Sequence, residues 1–239
     1  DVNLDLPGPE TLSVPGVTRT FAITDSTPVP RRAIVDIALC NDCHQQLALH
    51  GNNRTDNTEL CATCHNPNAT DINRRVAGSA CVTALGADDA SIDLKYMIHA
   101  LHAGPRANYS ACGFGNLPHE YGDVRYPGKL DDCEGCHRAG TYYPTDDATR
   151  LASSFDAGAD RRTAADDVAT SPGTTACYGC HTGALASAHM EQNGGSFQVS
   201  KRPDGTTAAA PTETCALCHG PGRLADVRAV HPAMRRSLP

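Results

Sequence analysis

The sequence predicts a mainly irregular fold with short α-helices and little β-structure. Glycine and proline, which interrupt regular elements, account for 21 and 16 of the 239 residues. The chain has no tryptophan and only 4 phenylalanines, so its side chains offer little bulky apolar surface for a core. The third observation is the spacing of its 12 cysteines and 11 histidines, which indicates what fills the interior instead.

The pattern Cys-Xaa-Xaa-Cys-His is typical of covalent haem attachment, in which both thiols bind one porphyrin edge and the adjacent imidazole binds the iron. A shuffled sequence of this composition would contain only about 0.03 such pentapeptides. The chain nevertheless contains five, which predict five haem c groups, a short helix at each motif and a haem-packed multihaem cytochrome c domain. The motifs are Cys40-Asn-Asp-Cys43-His44, Cys61-Ala-Thr-Cys64-His65, Cys133-Glu-Gly-Cys136-His137, Cys177-Tyr-Gly-Cys180-His181 and Cys215-Ala-Leu-Cys218-His219.

Two other kinds of site use the same thiol spacing. One is a redox-active cysteine pair, and the other is a zinc knuckle. Neither explains a histidine directly after every pair. The predicted proximal iron ligands are therefore His44, His65, His137, His181 and His219.

Six histidines remain, and a second imidazole on each of five irons would close the coordination spheres. His99 and His102 lie three residues apart on a predicted helix with Ser91 as its N-cap, so they share one flank. That helix could present two imidazoles to two different haems. His50 ends a helix-compatible run that follows His44.

The other candidates lie near the carboxyl end of the chain. His189 falls in an alanine-rich helical segment, and His231 ends a short predicted helix that Pro232 terminates. His119 lies in a glycine- and proline-rich region, which makes it the spare histidine. The predicted distal ligands are His50, His99, His102, His189 and His231.

Two cysteines, Cys81 and Cys112, lie outside the motifs. Haem attachment to paired thiols takes place in an oxidising extracytoplasmic compartment, where leftover cysteines usually pair. A disulfide is therefore predicted. The alternative is a pair of unrelated buried thiols.

Charge and hydropathy exclude some classes of partner. The formal net charge of −7 argues against nucleic acid as a partner. No apolar stretch approaches the about 20 residues that cross a bilayer, so no transmembrane segment is predicted. The first ten residues lack the features of a secretory signal, which predicts a processed or excised chain.

The chain divides into two parts by its haem sites. Residues 1–30 contain neither cysteine nor histidine and are predicted to form an extended or strand-like segment without haem. Residues 31–239 are predicted to form one pentahaem domain. Within it, the stretches 156–175 and 201–214 are rich in small and polar residues and are predicted to be surface loops.

Several segments resemble one family beyond the bare motifs. They are Cys-Asn-Asp-Cys-His-Gln-Gln-Leu-Ala-Leu-His-Gly after Ile34-Val-Asp, Cys-Ala-Thr-Cys-His-Asn-Pro, Tyr96-Met-Ile-His-Ala-Leu-His-Ala-Gly, Tyr126-Pro-Gly, and Cys-His-Gly-Pro-Gly-Arg after the fifth site. From about residue 31 to residue 231, the chain is similar to the bacterial outer-surface multihaem cytochromes of the OmcA/MtrC family. Those proteins usually carry ten haems in two such domains, which alternate with β-barrel-like domains, and only one pentahaem unit is present here.

The resemblance implies bis-histidine ligation, haems close enough for rapid electron hopping, and transfer of respiratory electrons to extracellular acceptors such as iron or manganese oxides. It implies an extracytoplasmic place at the cell surface or outside the cell, with the periplasm as the alternative. Implied partners are other multihaem cytochromes, metal oxides and soluble acceptors. A freely secreted protein, a subunit of a larger complex and a repeating unit of a filament made of copies of the chain would all fit the sequence.

The sequence predicts an electron carrier and not an enzyme. The alternative is a multihaem reductase of a small oxyanion such as nitrite, which would need one haem with an open coordination position. All five motifs end in histidine, and enough histidines remain to close every site.

Overall fold

The computed structural model describes residues 12–144, 150–207 and 212–231. These form two compact units. The first contains the described residues up to Cys64 together with Cys133–Tyr142, and the second contains His65–Asp132 and the described residues from Tyr143 onward. The predicted domain boundary at residue 31 stays a prediction.

The helices and strands are short throughout. The α-helices are α1 Ile37–His44, α2 Thr58–Cys64, α3 Ala80–Leu85, α4 Leu94–Ala103, α5 Pro172–Tyr178, α6 Ala184–Gln192, α7 Cys215–His219 and α8 Val227–Val230. The strands are β1 Ala48–Leu49, β2 Arg54–Thr55, β3 Ser110–Cys112, β4 Pro118–Glu120, β5 Ser153–Asp156, β6 Val168–Thr170 and β7 Val199–Ser200. The predicted short helices are present at motifs 1, 2, 4 and 5, and the strands form three small antiparallel sheets. Within the described ranges, no helix is both long and apolar enough to span a bilayer.

The first unit holds motif 3 beside the start of α1. Asp36 is the N-cap of α1, and its side chain accepts a hydrogen bond from the backbone nitrogen of Ala38 at 3.1 Å. Its own backbone nitrogen donates to the carbonyl oxygen of Cys136 at 3.2 Å. Val35 pairs with His137 in an antiparallel bridge. The backbone just before motif 1 is therefore tied to the backbone of motif 3.

The second unit contains the helix that was expected to carry two histidines. Helix α4 begins at Leu94, and its N-cap is Asp93, whose side chain accepts from the backbone nitrogen of Lys95. The predicted N-cap, Ser91, is buried two residues before Asp93, and its hydroxyl accepts from the Asp93 nitrogen at 3.5 Å. The N-cap was therefore predicted two residues too early, because serine and aspartate are both good N-caps.

The stretch 156–175 was predicted to be a surface loop, and this was wrong for its second half. Strand β6 is the central strand of the sheet β5-β6-β7, and α5 follows it directly. Thr174 and Thr175 are fully buried, as is Lys201 at the start of the other predicted loop. Small polar residues were taken for loop composition, but here they fill a tightly packed interior.

The buried apolar side chains of the described residues are mainly alanine. Leucine, isoleucine and phenylalanine are absent from this buried set, whose larger members are Tyr109, Met190 and Val199. Around Tyr109, a cluster with Ala100 and Ala111 packs against α4. The described residues therefore bury little aliphatic volume of their own.

Buried polar contacts hold the second unit together at defined points. The Asp71 carboxylate forms a salt bridge with Arg75 at 2.8 Å, and both side chains are almost fully buried. It also accepts from the backbone nitrogens of Ala90 at 2.8 Å and Cys112 at 2.6 Å. Cys112 is joined to Cys81 by a disulfide, with Cα atoms 5.7 Å apart. One carboxylate thus connects three separate segments.

We expect Asp71→Asn to lower the free energy of unfolding by about 3–5 kcal/mol, because it leaves the buried Arg75 guanidinium without its counter-charge. Denaturant unfolding of the holoprotein measures the effect. Asp123→Asn is the matched control, since Asp123 is exposed in the same unit. Equal unfolding midpoints for the two variants would contradict the prediction.

Candidate haem-binding sites

The five motifs share a tight turn, although its type varies. Motifs 1 and 5 lie entirely within α1 and α7, and motif 2 ends one residue beyond α2. Motif 3 forms only a single 3₁₀ turn, Cys133–Gly135, and motif 4 extends past the end of α5. The prediction of a short helix at every motif was therefore wrong at motif 3, where Gly135 disfavours a helix. Even there, the His137 nitrogen donates to the Cys133 carbonyl at 2.9 Å.

Two proximal histidines are oriented by backbone carbonyls. The Nδ1 atom of His65 lies 2.8 Å from the carbonyl oxygen of Ile92, and that of His219 lies 2.9 Å from the carbonyl oxygen of Ala225. A carbonyl oxygen can only accept, so Nδ1 donates and Nε2 keeps the lone pair that binds a metal. This is the usual arrangement of a metal-binding histidine.

Two distal candidates have the same orientation. The Nδ1 atom of His102 donates to the Ile98 carbonyl at 2.8 Å, and that of His231 donates to the Val227 carbonyl at 3.0 Å. Both acceptors lie four residues earlier in the chain, so the local helix fixes each ring.

Imidazoles of motifs 4 and 5 lie opposite histidines from elsewhere in the chain. The ring centroids of His181 and His231 are 5.9 Å apart, with ring planes at 67°. Those of His189 and His219 are 6.0 Å apart, with planes at 88°. The pairs cross: His189 follows motif 4 but faces the histidine of motif 5, and His231 follows motif 5 but faces the histidine of motif 4.

These distances fit iron between two imidazoles. Two ring nitrogens that each bind one metal at about 2 Å place the ring centroids about 6 Å apart. Partial burial and the neighbouring His231, Arg106 and His219 lower the pKa of His181. A lowered pKa favours the neutral imidazole that a metal requires. The residues present therefore suit the haem that the motifs imply.

The thiols of different motifs lie close together within each unit. Burial, together with the neighbouring Cys215 thiol and the Glu213 carboxylate, raises the pKa of Cys177 to about 12. In the first unit, burial and then the Cys136 thiol raise the pKa of Cys40. Motifs 1 and 3 are therefore neighbours in one unit, and motifs 4 and 5 are neighbours in the other.

Helix α4 packs closely against motif 4. A Cβ atom added at Gly179 would lie 2.6 Å from the Cβ of His99, so glycine is required for this approach. Burial lowers the pKa of His99, and the Cys180 thiol lies 3.9 Å from the His99 carbonyl oxygen. His102, on the same helix, has different surroundings. The centroid of its ring lies 5.5 Å from that of the Tyr126 ring, and the two rings meet edge to face.

Of the six histidines outside the motifs, His50 and His119 remain, and both lie outside helices. His50 occupies the turn between β1 and β2 with a positive φ of 54°, so the expected helical run after His44 was wrong. Helix α1 ends at His44 because Gln45 adopts a φ of 60°. His119, the predicted spare, is exposed on β4, and its ring lies against Gly113.

The residues that orient the motifs were not predicted from the sequence. They include Asp36 beside motif 3 and Glu213 beside motif 4, together with the carbonyls of Ile92 and Ala225. Only Glu213 carries a local signal, since it lies two residues before Cys215. The other contacts depend on the tertiary structure.

Comparison with known proteins identifies the family. The family described as outer membrane cytochrome MtrC/MtrF-like, domains II/IV, matches residues 32–232. The chain belongs to this family. The predicted membership of the OmcA/MtrC cytochromes is thereby confirmed.

One solved structure similar to this MtrC/MtrF-like chain is the crystal structure of the outer membrane decahaem cytochrome OmcA. The two share 30% sequence identity, with a TM-score of 0.38. The match covers 64% of the present chain and 20% of the OmcA chain, so the chain spans about a fifth of that protein. A search of curated proteins found no match.

The ring angles predict a spectroscopic signature. Imidazole planes that are close to perpendicular bring two iron d orbitals close in energy, which gives a highly anisotropic low-spin EPR signal. We expect two such signals from the oxidised holoprotein, one from each crossed pair. Low-temperature EPR measures them, and a spectrum containing only rhombic low-spin signals would contradict the geometry.

Proposed function

We propose that the chain is a pentahaem electron carrier that uses bis-histidine ligation at every haem. When bound, each haem iron supplies a one-electron couple between its ferric and ferrous forms. The observation that carries the proposal is the pair of imidazole distances, 5.9 and 6.0 Å, at motifs 4 and 5. A histidine on each face leaves no position for a substrate, which favours electron transfer over catalysis.

The proposed ligand set gives every motif a proximal and a distal histidine. The cysteines of the motifs attach the porphyrins, and the motif histidines bind the irons from one side. His231 is proposed for motif 4 and His189 for motif 5. His50, His99 and His102 are proposed as further distal ligands, without assignment to particular motifs.

The packing of the second unit supports a haem-filled interior. Large apolar side chains near motifs 4 and 5 are not buried by the protein: Leu185, Leu217 and Leu224 are 90%, 68% and 98% exposed. The buried apolar set is mainly alanine. Porphyrin faces would provide the apolar surface against which such leucines pack.

The proposed setting is extracytoplasmic, at the cell surface or outside the cell. The family of outer membrane cytochromes supports this, and so does the disulfide, because disulfides persist in oxidising compartments. We propose other multihaem cytochromes and extracellular metal oxides or soluble acceptors as electron partners. Assembly into a filament of copies of the chain stays a prediction.

Haem content and ligation test the proposal directly. We expect native mass spectrometry to give the 25.1 kDa chain plus five haem groups. We expect the oxidised protein to be entirely low-spin and its spectrum to be unchanged by cyanide, nitrite or, after reduction, carbon monoxide. An unmodified chain or bound zinc would refute haem attachment, and a high-spin component would favour the reductase alternative.

A combination of variants tests whether His189 is the distal ligand of the motif 5 haem. His189→Ala should convert one haem in five to a high-spin, carbon monoxide-binding form, because that iron loses one of its imidazoles. The control lacks motif 5 through Cys215→Ala and Cys218→Ala. If His189 serves motif 5, adding His189→Ala to this control opens no further haem. A newly opened haem in the combined variant would instead assign His189 to another motif.

A further inference from the structure

Glu213 lies where the segments carrying motifs 4 and 5 meet. One oxygen of its carboxylate accepts from the Ser171 hydroxyl at 2.7 Å, and from the backbone nitrogen and hydroxyl of Thr174 at 2.7 and 2.8 Å. The other accepts from the Gly173 nitrogen at 2.7 Å. Both oxygens act as acceptors, as in an ionised carboxylate.

The donors and the carboxylate belong to different haem motifs. Thr174 lies on α5 one helical turn before Cys177, the first cysteine of motif 4. Glu213 lies two residues before Cys215, the first cysteine of motif 5. The carboxylate therefore bridges the attachment sites of two haems. A Cβ added at Gly173 would lie 2.8 Å from it, so the space is fitted to this contact.

The next residue extends the junction to a ligand helix. The backbone nitrogen and hydroxyl of Thr214 donate to the Asn193 carbonyl at 2.9 and 3.1 Å. The Asn193 amide donates in turn to the His189 carbonyl at 2.8 Å, at the end of α6. Glu213 and Thr214 thus connect motif 5 both to motif 4 and to the helix that carries His189.

We propose that Glu213 is a positioning residue that links the haems of motifs 4 and 5 and holds their reduction potentials low, an inference that rests on the proposed haem attachment. A negative charge close to a haem stabilises the ferric form more than the ferrous form, because the ferric iron carries one more positive charge. The carboxylate acts on two haems because it lies between their attachment sites.

Glu213→Gln removes the charge and keeps the shape. We expect the midpoint potentials of two of the five haems to shift to more positive values, with five haems retained. Potentiometric titration followed by EPR assigns the shifts, because the two haems are those with the highly anisotropic signals. Glu120→Gln is the matched control, since Glu120 is exposed on β4 in the same unit. We expect no shift in the control.

A second variant, Thr174→Val, distinguishes an effect of the Glu213 charge from a structural effect. It tests the proposal even if Glu213→Gln loses haem. It removes one hydrogen bond to the carboxylate while the charge remains, so the charge is less neutralised and the same two potentials should shift to more negative values. Opposite shifts in the two variants support the proposal. It is overturned if Thr174→Val leaves both potentials unchanged, if both variants shift them in one direction, or if all five haems shift equally.

The two proposals can fail separately. If the chain carries no haem, mass spectrometry shows it before any potential is measured, and the proposed function fails. If five haems are present and Glu213→Gln behaves like Glu120→Gln, haem attachment stands and only the role of Glu213 is refuted.

Discussion

The crossed approach of two histidine pairs is the constraint on which the second unit depends. His181 and His231 face each other, as do His189 and His219, so each pair joins the histidine of one motif to a histidine that follows the other motif in sequence. Each pair therefore joins residues from both ends of the part of the chain that contains motifs 4 and 5. The short helices α6 and α8 are long enough for this task, because each has only to bring one ring to the other motif.

In each unit, an acidic residue connects two motifs. In the first unit, the backbone of Asp36 bonds to Cys136, and its side chain caps the helix of motif 1 and forms a salt bridge with Arg138 at 3.3 Å. In the second unit, Glu213 performs the equivalent task for motifs 4 and 5. The paired motifs are distant in sequence in the first unit, so motif order along the chain is not spatial order.

The sequence predicted the local features well, because they depend on spacing and capping. The helix with His189, the short helix ending at His231 and the pairing of Cys81 with Cys112 are all present. Sequence could not predict which histidines face each other, since His189 is nearer in sequence to His181 than to His219. It also gave the wrong structure around His50, where one positive φ at Gln45 ends a run whose composition suits a helix.

Polar contacts carry an unusual share of the specificity because the buried apolar side chains are small. Alanine packs without directional preference, so Asp71, Lys201 and Glu213 fix the segments instead. The Lys201 amino group donates to the Pro67 carbonyl and the Asn68 side chain, directly after motif 2, and burial lowers its pKa to about 8. Such groups stabilise only when fully bonded, which ties the correct fold to the correct placement of each motif. The electron carrier proposed above requires that precision, because electron transfer depends on the distances between cofactor sites.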